Sequence, residues 1–455
     1  MTRYVRALCV ATLALAGACD ETTPPDGLPQ SIDAQLRRSF QQWNVIPIGP
    51  MPPQVSAQVA LGQALMFDKI LSGNRDISCA TCHQPAEHAA DGLALAVGTG
   101  GTGLGPSRTL GEGRQFVPRN APSLLNSGLG LFYVFWDGRI ARFGFGPGPG
   151  GFQTPAGAAL PSDLPNILAA QAMFPVTNRR EMRGEPGDTD VFGNPNELAQ
   201  LGDSAWANIW QGVMQRLLAI PEYVTMFRAA FPEIYKDQLG FQHAATAIAA
   251  FQMQALTKTN SPFDRYLARD DAALPIEAKR GALLFFGRAQ CSTCHNGPFL
   301  GGGQFANTGI PQVGPGVGTG APLDLGRGNV LNNEFYRFAF RVAPLRNVEL
   351  TAPYFHAGVY PTLEAAVRHY NDVARALQGF DVTQLPSAVR DQYHGDDATI
   401  SDVLRTLDFR VRTPLRLTDA EIAELVAFLK SLTDPAARDL SAIKPARVPS
   451  GLPVD

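Results

Sequence analysis

The sequence predicts a mainly α-helical protein built from two related units, with long loops rich in glycine and proline. The pattern Cys-X-X-Cys-His occurs twice, at residues 79–83 and 291–295, and a similar apolar helical stretch precedes each copy. Strand signals are few and short. The chain holds 45 glycines and 36 prolines, together about 18% of its residues against an expected ~12%. Such a composition suits helices that wrap a bound group rather than one another.

The repeated motif is the attachment signal of a c-type haem. The two thiols can add across the vinyl groups of the porphyrin, and the adjacent histidine supplies a proximal nitrogen to the iron. A thioredoxin-like redox pair or half of a zinc site would also use two cysteines at this spacing. A redox pair does not need the adjacent histidine, and the second matching copy argues against coincidence. We therefore expect two covalent c-type haems in two cytochrome c-like domains, held by Cys79, Cys82 and His83 and by Cys291, Cys294 and His295.

The approach to each motif indicates an internal duplication. Residues 62–67 read Gly-Gln-Ala-Leu-Met-Phe, and residues 281–286 read Gly-Ala-Leu-Leu-Phe-Phe. Chance similarity between two apolar helices is the alternative. The predicted organisation is a signal peptide (1–19), a tether (20–50), an N-terminal haem domain (51–257), a C-terminal haem domain (258–440) and a tail (441–455).

The first residues read as an export signal. Arg3 and Arg6 precede an apolar run over residues 7–15, which is too short to span a membrane, and small residues lead to Cys19. Cys19 also fits a lipoprotein cleavage site, so lipid anchoring and plain release both stay open. Because c-type haem is attached on the exported side, we expect a periplasmic protein. A net charge of -3 gives no indication of nucleic-acid binding.

Four later helices and three loops complete the pattern. Helical periodicity is predicted at residues 206–218 and 242–256, from Pro361 onward, and after the capping box Thr418-Asp419-Ala420-Glu421. The glycine-rich loops are predicted at residues 92–113, 144–165 and 301–328, and the boundary between units at residues 257–262.

Three further stretches resemble the bacterial dihaem cytochrome c peroxidases and their relative MauG. They are Arg-Asn-Ala-Pro-Ser at 119–123, Phe-Trp-Asp-Gly-Arg at 135–139, and Leu-Arg-Asn-Val-Glu-Leu-Thr-Ala-Pro-Tyr-Phe-His at 345–356. The likeness covers roughly residues 55–435. The resemblance implies that one haem reacts with hydrogen peroxide through a high-valent state, while the other relays electrons and has two axial ligands.

The resemblance also bears on the second ligand of the relay haem. The peroxidases have a methionine fourteen residues after the histidine of Pro-Tyr-Phe-His, whereas this chain has Tyr370 there, as MauG has a tyrosine. A phenolate donates more strongly to iron than a thioether does, and it favours the oxidised states. A tyrosine on an apolar helix face can also simply pack, with its hydroxyl hydrogen-bonded. The resemblance favours Tyr370 as a ligand of the second iron.

The first haem is expected to have an open face. In the peroxidases, a histidine in the loop after the first motif covers this iron until the protein is reduced. Residues 92–119 contain no histidine, and His88 lies only five residues past His83, too close to cross to the other face. This difference from the peroxidases predicts a first iron that is open to peroxide in the ferric state. His356 is expected near a haem rather than on its iron.

An acid/base residue is expected beside that open face. The family pattern Gln-Ala-X-X-Pro followed by Glu-Met is matched at residues 171–175 and 181–182. The match implies that Glu181 shuttles the peroxide proton and that Gln171 donates a positioning hydrogen bond. By composition alone, Glu181 would be one of many surface carboxylates. The insertion between Arg139 and Gln171 leaves the shape of the pocket open.

Two more sites follow from the resemblance. Trp136 matches a tryptophan between the haems that can carry an electron or a hole, and a buried core tryptophan is a compatible alternative. Asn120, with the backbone carbonyls of Thr351 and Pro353, matches a calcium site, since hard oxygen donors suit that ion.

The expected function is reduction of hydrogen peroxide with electrons from a small cytochrome or copper protein. Two alternatives stay open: MauG-like oxidation of side chains on a partner protein, and a dihaem electron carrier without peroxide chemistry. The sequence gives no indication of the oligomeric state.

Overall fold

The computed structural model describes residues 31–142 and 151–455, and it is mainly helical. Its α-helices are α1 (Ile32–Gln42), α2 (Ser56–Phe67), α3 (Cys79–Cys82), α4 (Ile167–Ala172), α5 (Trp206–Leu218), α6 (Pro221–Ala230), α7 (Phe241–Ala255), α8 (Pro262–Leu267), α9 (Ile276–Phe286), α10 (Arg327–Leu331), α11 (Leu363–Asn371), α12 (Val373–Gln378), α13 (Asp397–Arg405) and α14 (Asp419–Lys430). The signal peptide, residues 20–30 of the predicted tether and residues 143–150 of the predicted second loop lie outside the described residues.

The strands are short, as the sequence predicts. β1 (Tyr133–Val134), β2 (Ile140–Arg142) and β3 (Phe152–Gln153) form an antiparallel sheet, in which Tyr133 pairs with Ala141 and Arg142 with Phe152. β4 (Phe305–Ala306) pairs antiparallel with β5 (Phe340–Arg341). Among the described residues, none of the helices has both the length and the apolar character that crossing a membrane requires.

The described residues form two large hydrophobic cores, one mainly of residues 61–256 and one mainly of residues 263–432, and each contains a close helix crossing. In the first, α2 packs on α7, and in the second, α9 packs on α14. A Cβ atom at Gly62 of α2 would overlap the carbonyl oxygen of Ala247, and one at Gly281 of α9 would overlap that of Glu424. Both glycines of the repeated stretch therefore allow two helix backbones to approach closely. The internal duplication itself stays a prediction.

The predicted helices occur close to the expected positions. α5 spans residues 206–218, as predicted, and α7 differs from its predicted bounds by one residue at each end. α14 begins after Thr418, whose hydroxyl accepts a hydrogen bond from the Glu421 amide at 3.3 Å, while the Glu421 carboxylate accepts one from the Thr418 amide at 2.9 Å. This is the predicted capping box.

The predicted tether is wrong for the residues that the structure describes. α1 carries Leu36 and Phe40 into the core of the C-terminal domain, where the Phe40 ring meets those of Phe263 and Phe286 at 5.6 and 5.3 Å. The amide of Gly297 also donates to the Trp43 carbonyl at 3.0 Å, just beyond the second motif. Local periodicity could not reveal this helix as anchored, because the partners lie more than two hundred residues away.

The predicted tail is likewise packed, and it packs on the opposite domain. Val448 and Leu452 are buried in the core of the N-terminal domain. The carboxylate of Asp455 accepts a hydrogen bond from Thr81, between the two cysteines of the first motif, and pairs with Lys69 at 2.5 Å. The first residues of the described chain thus brace the second domain, and the last residues brace the first domain.

A buried ion cluster joins the two domains. Arg119 contacts Asp137 of its own domain at 2.7 Å and Asp324 of the other domain at 2.6 Å, and all three are at least nine-tenths buried. Burial opposes charge on Asp137, but the Arg119 and Arg139 guanidinium groups hold its pKa far below the usual range. The paired charges therefore stay ionised inside the protein.

The packing of α1 predicts a measurable contribution to stability. Phe40→Ala should lower the free energy of unfolding by about 3–5 kcal/mol, because it leaves a cavity in the second core. Ile46→Ala is the matched control, since Ile46 is half exposed in the same segment. Urea unfolding followed by circular dichroism checks this, and equal midpoints for the two variants would contradict the bracing role of α1.

Candidate haem cavity

A cavity of about 660 Å³ extends between the two domains and is lined by both Cys-X-X-Cys-His motifs. Its walls are mainly apolar, and it reaches every residue that the sequence analysis placed at a haem or beside one. These are Cys79, Cys82, His83, Asn120, Trp136, Gln171, Glu181, Cys291, Cys294, His295, Thr351, Pro353, His356 and Tyr370. The structure thus brings the predicted site residues together, although they come from distant parts of the chain.

The first motif is held as one helical turn. The Thr81 hydroxyl accepts a hydrogen bond from the Ser78 amide at 2.8 Å, which closes the start of α3. His83 follows α3, and its Nδ1 donates to the Ala89 carbonyl at 3.1 Å. Burial lowers the pKa of His83 to about 4, so the ring is neutral at pH 7. Its Nε2 is therefore the nitrogen that keeps a free lone pair for iron.

The second motif repeats this arrangement. His295 Nδ1 donates to the Leu300 carbonyl at 3.0 Å, and burial lowers the pKa of this imidazole to about 4. A backbone carbonyl thus fixes the tautomer and ring orientation of both histidines. Neutral imidazole with one nitrogen free is the form that binds iron.

A single π-helical turn, Arg179–Arg183, positions Glu181. The Asn178 side chain caps this turn by accepting hydrogen bonds from the amides of Arg180 and Glu181 at 3.0 and 3.2 Å. Such turns recur at functional sites because they redirect a side chain out of the regular helical path. Glu181 thereby faces the cavity, which Gln171 at the end of α4 also lines.

The electrostatics around Glu181 suit a proton carrier. Burial raises the pKa of this carboxyl group, and the charges of Arg139 and Arg119 act in the opposite direction. Burial raises the pKa values of Cys79 and Cys82, and the charge of Glu181 raises them further, which places Glu181 near the first motif. A carboxyl group whose pKa is raised toward neutrality can both accept and return a proton.

Tyr370, on α11, lines the cavity beside the second motif. Burial raises the pKa of its hydroxyl, a hydrogen bond from the Thr308 side chain lowers it, and the charges of Cys294 and Cys291 raise it further. The phenol therefore lies near the thiols of the second haem motif and away from those of the first. Ligation itself stays a prediction.

Trp136 connects the two halves of the cavity. Its indole nitrogen donates to the Asn120 carbonyl at 2.9 Å, and its own carbonyl accepts from the Arg341 amide of the second domain at 2.7 Å. The side-chain amide of Asn120 donates to the Leu93 carbonyl at 2.6 Å. Asn120, Thr351 and Pro353 line the same cavity, and calcium stays a prediction.

Among the described residues, the acidic, histidine and cysteine side chains form no metal site separate from the haem cavity. Within residues 31–142 and 151–455, no three His, Cys, Asp or Glu residues are grouped so that they could hold a metal ion. The expected calcium ligands are amide and carbonyl oxygens, which are a different set of donors.

The remaining histidines fit the expectation of an open first face. The His88 ring is tied to the Ala437 carbonyl at 3.1 Å, and it is not among the cavity-lining residues. His356 does line the cavity, but its ring stacks on Phe340 at 3.4 Å, and burial lowers its pKa to about 3. Neither ring is directed by its contacts toward His83.

The described part of the insertion between Arg139 and Gln171 packs mainly into the first core. Phe152, Leu160 and Leu164 are buried in the first core. Of the described residues between Arg139 and Gln171, Leu168 alone lines the cavity. Residues 143–150 lie outside the described part of the chain.

Two arginines that the sequence analysis missed also line the cavity. Arg341 Nη1 and Arg346 Nη2 are buried and lack a hydrogen-bond partner among the described residues. Burial lowers the pKa of Arg341 to about 10, so it remains a cation at pH 7. Unpaired guanidinium N–H groups suit the carboxylates of haem propionates. Nothing in the local sequence distinguishes Arg341 from a surface arginine, whereas Arg346 lies within the stretch 345–356 that carries the resemblance.

These observations fit haem as the bound group. Apolar walls match a porphyrin face, each thiol pair lies at the cavity surface, and a neutral imidazole accompanies each pair. The unpaired guanidinium nitrogens supply positive charge for propionates. The cavity therefore defines a protein that holds two redox-active haems within one connected space.

The comparisons with known proteins agree. The family described as di-haem cytochrome c peroxidase matches residues 56–272. Cytochrome c551 peroxidase of Pseudomonas aeruginosa is 34% identical over 327 residues, covering 70% of this chain and 75% of that protein. Methylamine utilization protein MauG of Methylorubrum extorquens is 29% identical over 437 residues, which is 95% of each chain.

Solved structures show the same fold. A MauG-like protein associated with microbial copper homeostasis has a TM-score of 0.58 at 24% identity, covering 87% of this chain and 95% of that one. The diheme peroxidase BthA from Burkholderia thailandensis has a TM-score of 0.54 at 21% identity, with 87% and 93% covered. The chain belongs to the dihaem cytochrome c peroxidase/MauG family. It is a dihaem peroxidase-like oxidoreductase with two haem cofactors.

Burial of Glu181 predicts that the free energy of unfolding depends on pH. Because its pKa is raised in the folded state, the unfolded chain loses this proton at lower pH, so stability falls as the pH rises through the unfolded-chain value. Glu181→Gln removes this loss of stability, which amounts to about 1.4 kcal/mol for each unit by which folding raises the pKa of Glu181.

Urea unfolding at about pH 4 and about pH 7 measures this effect. The variant should gain stability over the wild type at the higher pH. Glu185→Gln, a nearby exposed position, is the control and should show no such trend. A constant difference between Glu181→Gln and wild type at both pH values would contradict the burial argument.

Proposed function

We propose that this protein is a periplasmic dihaem c-type peroxidase, which reduces hydrogen peroxide with electrons from a small cytochrome or copper protein. The observation that carries the proposal is an asymmetry within one cavity. Glu181 lies beside the first motif, and Tyr370 lies beside the second. This asymmetry supports a proton carrier beside one haem and a side-chain ligand for the other.

Attachment of both haems rests on the two motifs. Cys79 and Cys82 hold the first haem through thioether bonds, and Cys291 and Cys294 hold the second. All four are free thiols at the cavity. His83 and His295 are the proximal ligands, since the Nδ1 atom of each already donates to a backbone carbonyl.

The first haem supplies the iron at which peroxide is reduced. Around it, Glu181 takes a proton from one peroxide oxygen and returns it to the other, so that water leaves. Gln171 donates a hydrogen bond that orients the peroxide. Reduction of one peroxide to two waters consumes two electrons and two protons, and the electrons come from the donor protein.

Electron supply runs through the second domain. His295 and Tyr370 would hold the iron of the second haem, and a phenolate ligand would favour its oxidised form. Trp136 lies between the domains, with hydrogen bonds to both sides. An aromatic ring in this position can carry electrons or holes between the two haems.

A second candidate function is peroxide-dependent oxidation of side chains on a partner protein. The position of Tyr370 at the second motif favours it, because a phenolate ligand suits a haem that holds oxidising equivalents. A dihaem electron carrier without peroxide chemistry has less support, because such a carrier has no use for an acid/base group at Glu181.

Location and calcium complete the proposal. Periplasmic location rests on the predicted signal in residues 1–19 and on the attachment of c-type haem on the exported side of the membrane. If Cys19 carries a lipid, the exported protein would be anchored to the membrane. Calcium would be held by Asn120 and the carbonyls of Thr351 and Pro353 at the domain junction, where these residues share the cavity wall.

The proposed open face of the first haem predicts that the ferric protein reacts with peroxide without first being reduced. Ferric protein mixed with hydrogen peroxide should change its Soret absorption at once, with no prior reduction, because no histidine covers the iron. Stopped-flow absorption spectroscopy measures this. A reaction that occurs only after pre-reduction would contradict the open face.

The proposed role of Glu181 as proton carrier predicts that its replacement slows the reaction with peroxide. Glu181→Gln should slow the reaction with peroxide by a factor of about 10²–10⁴, the usual range for loss of general acid–base catalysis. Both haems should remain bound, as measured by the pyridine haemochrome assay. The exposed control Glu185→Gln should react at the wild-type rate, and an unaltered rate for Glu181→Gln would assign proton transfer elsewhere.

A further inference from the structure

Three aromatic side chains that the proposed function does not use lie together in the first domain. They are Phe174, just after α4, and Trp206 and Trp210 of α5. The ring centroid of Phe174 lies 5.6 Å from that of Trp206 and 6.2 Å from that of Trp210, and the two indoles are 6.3 Å apart. All three separations fall in the range of direct aromatic contact, about 4.5–7 Å. The three rings therefore form one continuous cluster.

The inner end of this cluster adjoins the wall of the haem cavity. Trp210 is buried, and its indole nitrogen donates a hydrogen bond to the Met173 carbonyl at 2.6 Å. Met173 belongs to the segment from Gln171 to Pro175, in which Gln171, Ala172 and Pro175 line the cavity. One short segment therefore contributes to the cavity wall and also contacts Trp210.

The outer end of the cluster reaches the surface. Trp206 is half-buried in the first turn of α5, and its neighbours Ala207 and Asn208 are exposed. Residues four apart on a helix lie on the same face, which is why the Trp206 and Trp210 indoles meet. The cluster thus leads from a buried indole behind the cavity wall to a half-exposed indole at the surface.

We propose that Trp210 and Trp206 form an exit path for oxidising equivalents, and that Trp206 is the residue oxidised when peroxide reacts without an electron donor. The proposal rests on the proposed function, which supplies hydrogen peroxide as the oxidant. Indole is among the most easily oxidised side chains, whereas the phenyl ring of Phe174 resists oxidation. Phe174 is therefore a positioning residue that packs against both indoles.

The net reaction at Trp206 is hydroxylation of the indole. Two electrons pass from Trp206 through Trp210 to the oxidising equivalents that one peroxide leaves in the cavity. One C–H bond of the indole is replaced by a C–O bond whose oxygen comes from water, and two protons are released. Reduction of the peroxide to two waters takes up two electrons and two protons. One peroxide and one indole therefore give one hydroxyindole and one water.

The exit path would protect the cavity from oxidation. Met182 is buried, lines the cavity and follows Glu181 directly in the chain. Oxidation of its thioether to the sulfoxide would place a polar group in this apolar wall. Electrons from Trp206 consume the oxidising equivalents at the surface instead, so loss of the path should increase the sulfoxide at Met182.

The test treats the holoprotein with an equal amount of hydrogen peroxide in water labelled with heavy oxygen, without an electron donor. Peptide mass spectrometry should find labelled oxygen on Trp206. Direct attack by peroxide would add unlabelled oxygen. Trp43 is the internal control, because it is also half-buried but has no ring contact with another aromatic side chain among the described residues. It should stay unlabelled.

Variants of the path test the electron transfer itself. After peroxide is added, Trp206→Phe should slow the return of the Soret absorption to its ferric form and raise the sulfoxide at Met182. Trp206→Tyr keeps an oxidisable ring and should return at a rate close to that of wild type. Trp210→Phe should lower the labelling of Trp206. Should Trp210→Phe fail to bind both haems, Trp206→Phe decides, and a return at the wild-type rate overturns the proposal.

The Soret absorption of the wild type separates this proposal from the one on which it rests. If the absorption changes on mixing with peroxide but Trp206 carries no labelled oxygen, the protein reacts with peroxide and the exit path is wrong. If the absorption does not change, the peroxide reaction and the exit path are both wrong.

Discussion

The buried pairing of Arg119 with Asp137 and Asp324 is the interaction on which the rest of the structure depends. It joins a loop of the first haem domain to a loop of the second, beside Trp136 and the cavity. Removing one member of such a cluster leaves a buried charge unpaired, which typically costs about 3–5 kcal/mol. The cluster thereby ties the part of the chain that carries the first motif to the part that carries the second.

The two terminal segments reinforce this junction from outside. α1 belongs to the core of the second domain, and the residues around Val448 belong to the core of the first. Each segment also reaches a haem motif, through Trp43 and Gly297 in one case and Asp455 and Thr81 in the other. Within this frame the proximal sides of the two haem positions are alike, with a neutral imidazole fixed by a backbone carbonyl. The two motifs differ in the neighbouring group at the cavity wall, which is Glu181 at the first and Tyr370 at the second.

Sequence reasoning succeeded where the signal is local. The Cys-X-X-Cys-His motifs, the capping box at Thr418 and the periodicity of α5 each depend on neighbouring residues, so they could be predicted. The anchoring of α1 and of residues 441–455 could not, because each depends on burial against a distant part of the chain. Arg341 and Arg346 were missed for the same reason, since an unpaired guanidinium nitrogen is a property of the folded cavity.

The central claim is that one haem iron keeps a vacant face beside Glu181 while the other is closed by the phenolic oxygen of Tyr370. Low-temperature EPR of the fully oxidised protein tests it most directly, because spin state reports axial coordination. The account predicts one high-spin ferric signal and one low-spin signal in equal amounts. Two low-spin signals would mean that a side chain closes the first iron, and two high-spin signals would mean that Tyr370 does not bind the second.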